Sequence, residues 1–119
     1  MLLALDISTS CTGYCIFDED KLIDIGSINL SKHKGLFEKA SLVKSEILKL
    51  SEKYQITHVA VEENLQAFRP GLSSAKTLMT LAQFNGVVRW ICHSDLKCEV
   101  ASLNVNSARK SVGLKIDRK

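Results

Sequence analysis

The spacing of apolar residues changes character several times along this chain, and each change marks an element. Leu2-Leu3-Ala4-Leu5 is an unbroken apolar run closed by Asp6. Such a run predicts a buried strand. Positions 12–17 alternate loosely between polar and apolar residues and are rich in β-formers. Asp18-Glu19-Asp20-Lys21 is a polar turn, and 22–30 carries Leu22, Ile23, Ile25, Ile28 and Leu30, interrupted by Gly26. These segments predict three strands joined by short turns, a meander whose second and third strands are antiparallel neighbours. From 36 to 54 the period lengthens. Leu36, Ala40, Val43, Ile47, Leu50 and Tyr54 recur at three- and four-residue steps, one face of a helix, with lysines and glutamates opposite. His58-Val59-Ala60-Val61-Glu62-Glu63 then predicts a further buried strand, again ending on carboxylates. Strand, helix, strand is the βαβ unit of an α/β sheet.

Pro70-Gly71 punctuates a loop over 66–71, and Ser73 or Ser74 can cap a helix running to about 93. Two of its sides are apolar. Leu78, Leu81, Val88 and Ile91 form one stripe; Ala75, Met79, Ala82 and Gly86 form a second of mostly small residues. A helix apolar on two sides is expected to pack on its sheet and on a second surface, such as a partner subunit. A last strand is predicted over 99–103 and a short helix over 105–112. No repeat, low-complexity segment or linker divides the chain, so a single domain over 1–119 is expected. The predicted class is α/β, a mixed sheet of about five strands with helices packed on it.

Length and composition narrow this only a little. A chain of 119 residues, 45% hydrophobic and 24% charged, suits one domain with a modest core. No apolar stretch approaches the roughly 18 residues of a membrane span, and the start lacks the basic segment of a signal peptide. A cytoplasmic location is expected. Cys11, Cys15, Cys92 and Cys98 form neither a CxxC pair nor a zinc pattern. Cys11 and Cys15 read as small strand or core residues, and free thiols fit a reducing compartment. His33, His58 and His93 show no ligand spacing. The net charge of +3 is mild, but 105–119 carries Arg109, Lys110, Lys115, Arg118 and Lys119 against Asp117 alone. That cluster reads either as a nucleic-acid contact or as a solvated tail.

Candidate chemistry lies in the acids. Asp6 ends a buried strand and is followed by Ile7-Ser8-Thr9-Ser10-Cys11-Thr12-Gly13. A carboxylate there either caps the turn or faces a cation that compensates its charge. Glu62 ends the fourth strand in the same way. If the two strands are parallel neighbours, both acids project at one sheet edge, where ligands of open α/β sheets bind. Oxygen-only donors suit Mg²⁺ or Mn²⁺ rather than zinc. Two such ions about 3.5–4 Å apart can hydrolyse a phosphodiester, but such a site takes roughly three or four carboxylates. Alternation turns Glu63 to the other face, and Asp117 sits in the basic tail.

Leu5-Asp6-Ile7-Ser8-Thr9 followed by Thr12-Gly13-Tyr14 resembles the first strand and hairpin of RuvC-type Holliday junction resolvases, particularly phage-like members. Val59-Ala60-Val61-Glu62 resembles that family's second catalytic strand. The segment from Thr77 through Gln83 to Gly86 resembles its long helix, and the segment from Val105 to Gly113 resembles the stretch after its fifth strand. The resemblance implies an RNase H-like fold, a homodimer through the helix 74–93, and Mg²⁺-dependent (or Mn²⁺-dependent) cutting of four-way DNA junctions. It implies that Asp6 and Glu62 are catalytic, metal-holding carboxylates. The family pattern continues into a final helix with an acidic pair, which this chain does not include. It therefore reads as C-terminally truncated, with weak or absent cleavage expected of these 119 residues alone. DNA contacts are expected from Phe68 and Arg69 in the loop, with Phe68 able to wedge at an unpaired base. Lys76 at a helix start, and Arg109, Lys110 and Lys115, are expected to meet phosphates. Two rival readings remain: a non-catalytic DNA-binding remnant, and an ATP-binding actin- or sugar-kinase-like domain. The latter needs a second phosphate loop that this sequence lacks.

Overall fold

The computed structural model describes residues 1–63 and 75–104. The expected loop over 66–71, the cap at Ser73 or Ser74 and the helix over 105–112 lie outside the described residues. Seven elements run in chain order: β1 (Leu2–Asp6), β2 (Cys11–Asp18), β3 (Lys21–Asn29), α1 (Leu36–Lys53), β4 (His58–Glu63), α2 (Ala75–Asp95) and β5 (Glu99–Asn104). The strands form one mixed sheet in the order β3-β2-β1-β4-β5. β1, β2 and β3 are the expected antiparallel meander, while β4 pairs parallel to β1 and β5 parallel to β4. β1 is thus the seam between an antiparallel and a parallel half.

Side-chain alternation divides this sheet into two unlike faces. Leu3, Leu5, Ile16, Ile28, Val59 and Val61 are buried on one face. Ala40, Val43, Ile47 and Leu50 of α1 pack against them, as do Phe84, Val88, Ile91 and Cys92 of α2. The opposite face carries Leu2, Ala4, Asp6, Gly13 and Cys15. No described helix covers it, and all five keep some exposure. The run Leu2-Leu3-Ala4-Leu5 is therefore fully buried only at alternate positions. Cys11 and Cys15 are strand residues, as expected, both on β2. Cys11 is exposed and Cys15 half-buried, whereas Cys92 and Cys98 are the core thiols. Burial of Cys92 pushes its thiol up to about 12.

Two contacts fix the outer edge of the meander. Tyr14 stands opposite Gly26 on β3, and a Cβ at Gly26 would collide with its ring. A glycine covered by a cross-strand aromatic is a recognised packing device. From the end of α1, the Tyr54 hydroxyl donates to Asp24 Oδ2 at 2.9 Å, which ties helix to edge strand.

Candidate metal and DNA site

Asp6 is the last residue of β1, and Glu62 lies at the end of β4. The parallel register pairs Leu5 with Val61, so Asp6 and Glu62 come next, side by side on neighbouring strands. Leu5 and Val61 point into the core. Alternation then turns both carboxylates to the face that no described helix covers. Asp6 is exposed and Glu62 half-buried. Glu62 pairs onward with Leu103 of β5, and Asp6 pairs on its other side with Gly13 of β2. The expected juxtaposition at the carboxyl ends of two parallel strands is present.

Four anchors hold the turn after Asp6. Ile7 is fully buried and anchors the chain just past the carboxylate. Thr12, itself fully buried, donates its hydroxyl to the Ser8 carbonyl at 3.0 Å and sits 3.4 Å from the Ser8 N–H. Lys39 reaches from α1 to donate its ammonium to the Thr9 carbonyl at 2.7 Å. The Leu30 N–H donates to the Ser10 carbonyl at 2.9 Å. None of Thr12, Lys39 or Leu30 stood out in the sequence as a support of the site. Thr12 could have been found as a hydroxyl residue at an inward-facing strand position.

The donors are oxygens only, which fits a hard divalent cation such as Mg²⁺ or Mn²⁺ and not zinc. Among the described residues no group of three or more His, Cys, Asp or Glu side chains is gathered for a metal. Of the expected DNA contacts, Lys76 is exposed in the first turn of α2. Phe68, Arg69, Arg109, Lys110 and Lys115 lie outside the described residues.

The second stripe of α2 faces outward as expected, since Ala75, Met79, Ala82 and Gly86 are all exposed. Trp90, four residues beyond Gly86, continues it at 61% exposure, and Phe37 at the start of α1 joins it at 75%. With Leu36 and Val87 these two aromatics line an apolar groove between the helices. The reading of α2 alone missed them, because Trp90 lies beyond the small residues and Phe37 sits on another helix.

No protein-family model matches the chain. A curated crossover junction endodeoxyribonuclease RuvC from Fusobacterium nucleatum is 32% identical over 91 residues, covering 73% of this chain and 45% of that protein. The chain is related to the RuvC-type resolvases. It spans less than half the length of that curated relative. Solved structures agree at the level of fold. Thermus thermophilus RuvC in complex with a Holliday junction substrate superposes with a TM-score of 0.75 at 13% identity, over 98% of this chain and 76% of that one. The yeast mitochondrial Holliday junction resolvase gives 0.63 at 17% identity, over 99% of this chain and 56% of that one. The five-stranded mixed sheet with two helices on one face is thus the RNase H-like fold of RuvC. No helix among the described residues is long and apolar enough to cross a membrane.

Proposed function

We propose that this chain forms the core of a divalent-metal-dependent nuclease that resolves four-way DNA junctions, with Asp6 and Glu62 as its first two metal-holding carboxylates. The observation that carries the reading is their register: two acids side by side at the carboxyl ends of parallel β1 and β4, on the sheet face away from α1 and α2. Mg²⁺ or Mn²⁺ bound there would supply Lewis acidity and a water of lowered pKa for phosphodiester hydrolysis. Without a cation, Asp6 and Glu62 repel a phosphodiester, so close approach of a strand depends on metal. Lys76, exposed in the first turn of α2, offers the phosphate backbone a positive charge and a helix N-terminus. Phe68, Arg69, Arg109, Lys110 and Lys115 are proposed as further DNA contacts.

The reading includes a homodimer through α2. Ala75, Ala82 and Gly86 let a second helix approach closely, and Met79, Trp90 and Phe37 supply exposed apolar area of the kind that interfaces bury. Work on DNA junctions would place the protein in the cytoplasm of a bacterial or phage-infected cell.

Mn²⁺ titration by calorimetry and junction cleavage on labelled four-way DNA test the core of this reading. Asp6→Asn and Glu62→Gln are each expected to weaken Mn²⁺ binding by about tenfold or more without lowering the melting temperature. Equal Mn²⁺ affinity in wild type and both variants would refute it. Because only two such carboxylates stand together among the described residues, these 119 residues are expected to bind junctions with metal but to cut them weakly. Full-rate cutting would contradict that expectation.

A further inference from the structure

Gly13 is a glycine that packing among the described residues does not account for. Its backbone is outside the left-handed region that favours glycine. Among the described residues, a Cβ placed on it would meet only the Asp6 Cβ, at 3.9 Å, which is ordinary van der Waals contact. Gly26 makes the contrast, because there the Tyr14 ring occupies the space. Glycine inside a strand weakens it through lost packing and a larger entropy cost on folding. The sequence nonetheless has one near the start of β2, directly opposite Asp6. The register is regular at Gly13 on both sides, so no bulge explains it, and the remaining use of a strand glycine is to let a ligand or another backbone come close.

The register says what lies on each side. Across the sheet the row runs Ser27, Gly13, Asp6, Glu62 and Leu103. Glu62 stands at one flank of Asp6, and at the other flank Gly13 contributes no side chain. We infer that Gly13 is a positioning residue: by having no side chain it keeps clear the lane through which a DNA phosphodiester reaches the Asp6 and Glu62 carboxylates. This rests on the proposed metal-dependent action on DNA. It adds that the strand enters over β2 rather than over β5. The ligand chemistry is that of a sugar-phosphate backbone. Along that row the lane passes main chain and the small, exposed Ser27, whose hydroxyl can donate to a phosphate oxygen.

The test uses the 119-residue chain with Gly13→Ala and Gly13→Val. Three quantities are read: melting temperature, Mn²⁺ affinity by calorimetry, and the gain in four-way-junction affinity when Ca²⁺ is added to metal-free protein. Valine is a strong β-former, so neither variant is expected to melt lower than wild type. Mn²⁺ affinity is expected to stay within about threefold, since Asp6 and Glu62 remain. The Ca²⁺-dependent gain in junction affinity is expected to survive in Gly13→Ala and to fall about tenfold or more in Gly13→Val. Wherever the wild type cuts measurably, Gly13→Val is expected to cut about 100-fold more slowly, the scale of a misplaced reacting group. A merely structural role would lower the melting temperature in both variants and leave the Ca²⁺-dependent gain unchanged. That result, or a Gly13→Val variant with the full gain, overturns the inference. A wild type with no Mn²⁺ binding and no Ca²⁺-dependent gain overturns the metal-site reading itself, and the role of Gly13 with it.

Discussion

Thr12→Val should loosen the turn behind Asp6 while leaving its shape almost unchanged. Thr12 is fully buried, and its hydroxyl donates to the Ser8 carbonyl at 3.0 Å. The contact from the Ser8 N–H, at 3.4 Å, is long enough to count for little. Valine matches threonine in volume, so its cost is the lost hydrogen bond plus the polar groups of Ser8 left without their partner. Ser8 is half-buried, and water meets part of that need. The expected loss is about 1–2 kcal/mol. Thr12→Ser keeps the hydroxyl and removes a buried methyl, costing about 1 kcal/mol. Urea denaturation alone will barely separate two such numbers. Mn²⁺ affinity should separate them, because only valine frees the turn that fixes Asp6. If about 1 kcal/mol of ordering must then be supplied on binding, Mn²⁺ affinity falls roughly fivefold in Thr12→Val. It stays within about twofold in Thr12→Ser. The assay is paired urea melts and calorimetric titrations of the three proteins. A Thr12→Val protein that matches wild type in both stability and Mn²⁺ affinity refutes the reasoning.

The apolar groove and the core thiols give two more expectations. Trp90→Glu, at an exposed site, should leave the fold intact and shift sedimentation from dimer to monomer at concentrations where the wild type is dimeric; unchanged association would remove α2 from the interface. The Cys92 thiol, about 12 in the fold, stands above its ordinary 9.0 because burial disfavours the thiolate. Above pH 9 the unfolded chain loses this proton while the folded chain keeps it, so stability should be intact below pH 9 and decline as pH rises towards 12. Denaturant midpoints measured from pH 8 to 11 should fall less steeply in Cys92→Ala than in wild type, and parallel curves would count against the assignment. At pH 8, a thiol reagent should modify exposed Cys11 rapidly and Cys92 only as the chain opens.

The backbone plan was legible because most elements announce themselves by period. The helix at Leu36 and the strand His58–Glu63 begin where the spacing changes, and α1 ends one residue short of Tyr54. The Asp6 and Glu62 pairing was legible too, since two apolar runs each end on an acid and a βαβ connection makes neighbouring strands parallel. Face assignment was harder. Four consecutive apolar residues in 2–5 carry no alternation, so nothing local says that Leu3 and Leu5 face the helices. α2 is apolar on more than one side, and its core contacts Phe84 and Cys92 could not be picked out from the stripe of Leu78 and Leu81, which are only half-buried. The supports of the site were hidden for a different reason. Lys39 looks like any solvated helix lysine, and only the packing of α1 against the sheet brings it to the Thr9 carbonyl. The expected contacts Phe68, Arg69, Arg109, Lys110 and Lys115 lie outside the described residues.

The position of β1 as a seam has a consequence for how the molecule comes together. β1, β2 and β3 can pair through short turns, so this half of the sheet closes only small loops. Setting β4 beside β1 instead requires the chain to return across the whole of β2, β3 and α1, a long closure that is intrinsically slow. Asp6 and Glu62 sit on opposite sides of that late event. The pair therefore exists only in chains that have completed the parallel half. Mn²⁺ uptake during refolding should lag behind hairpin formation and track the docking of β4, which makes the cation a kinetic probe of when the seam closes.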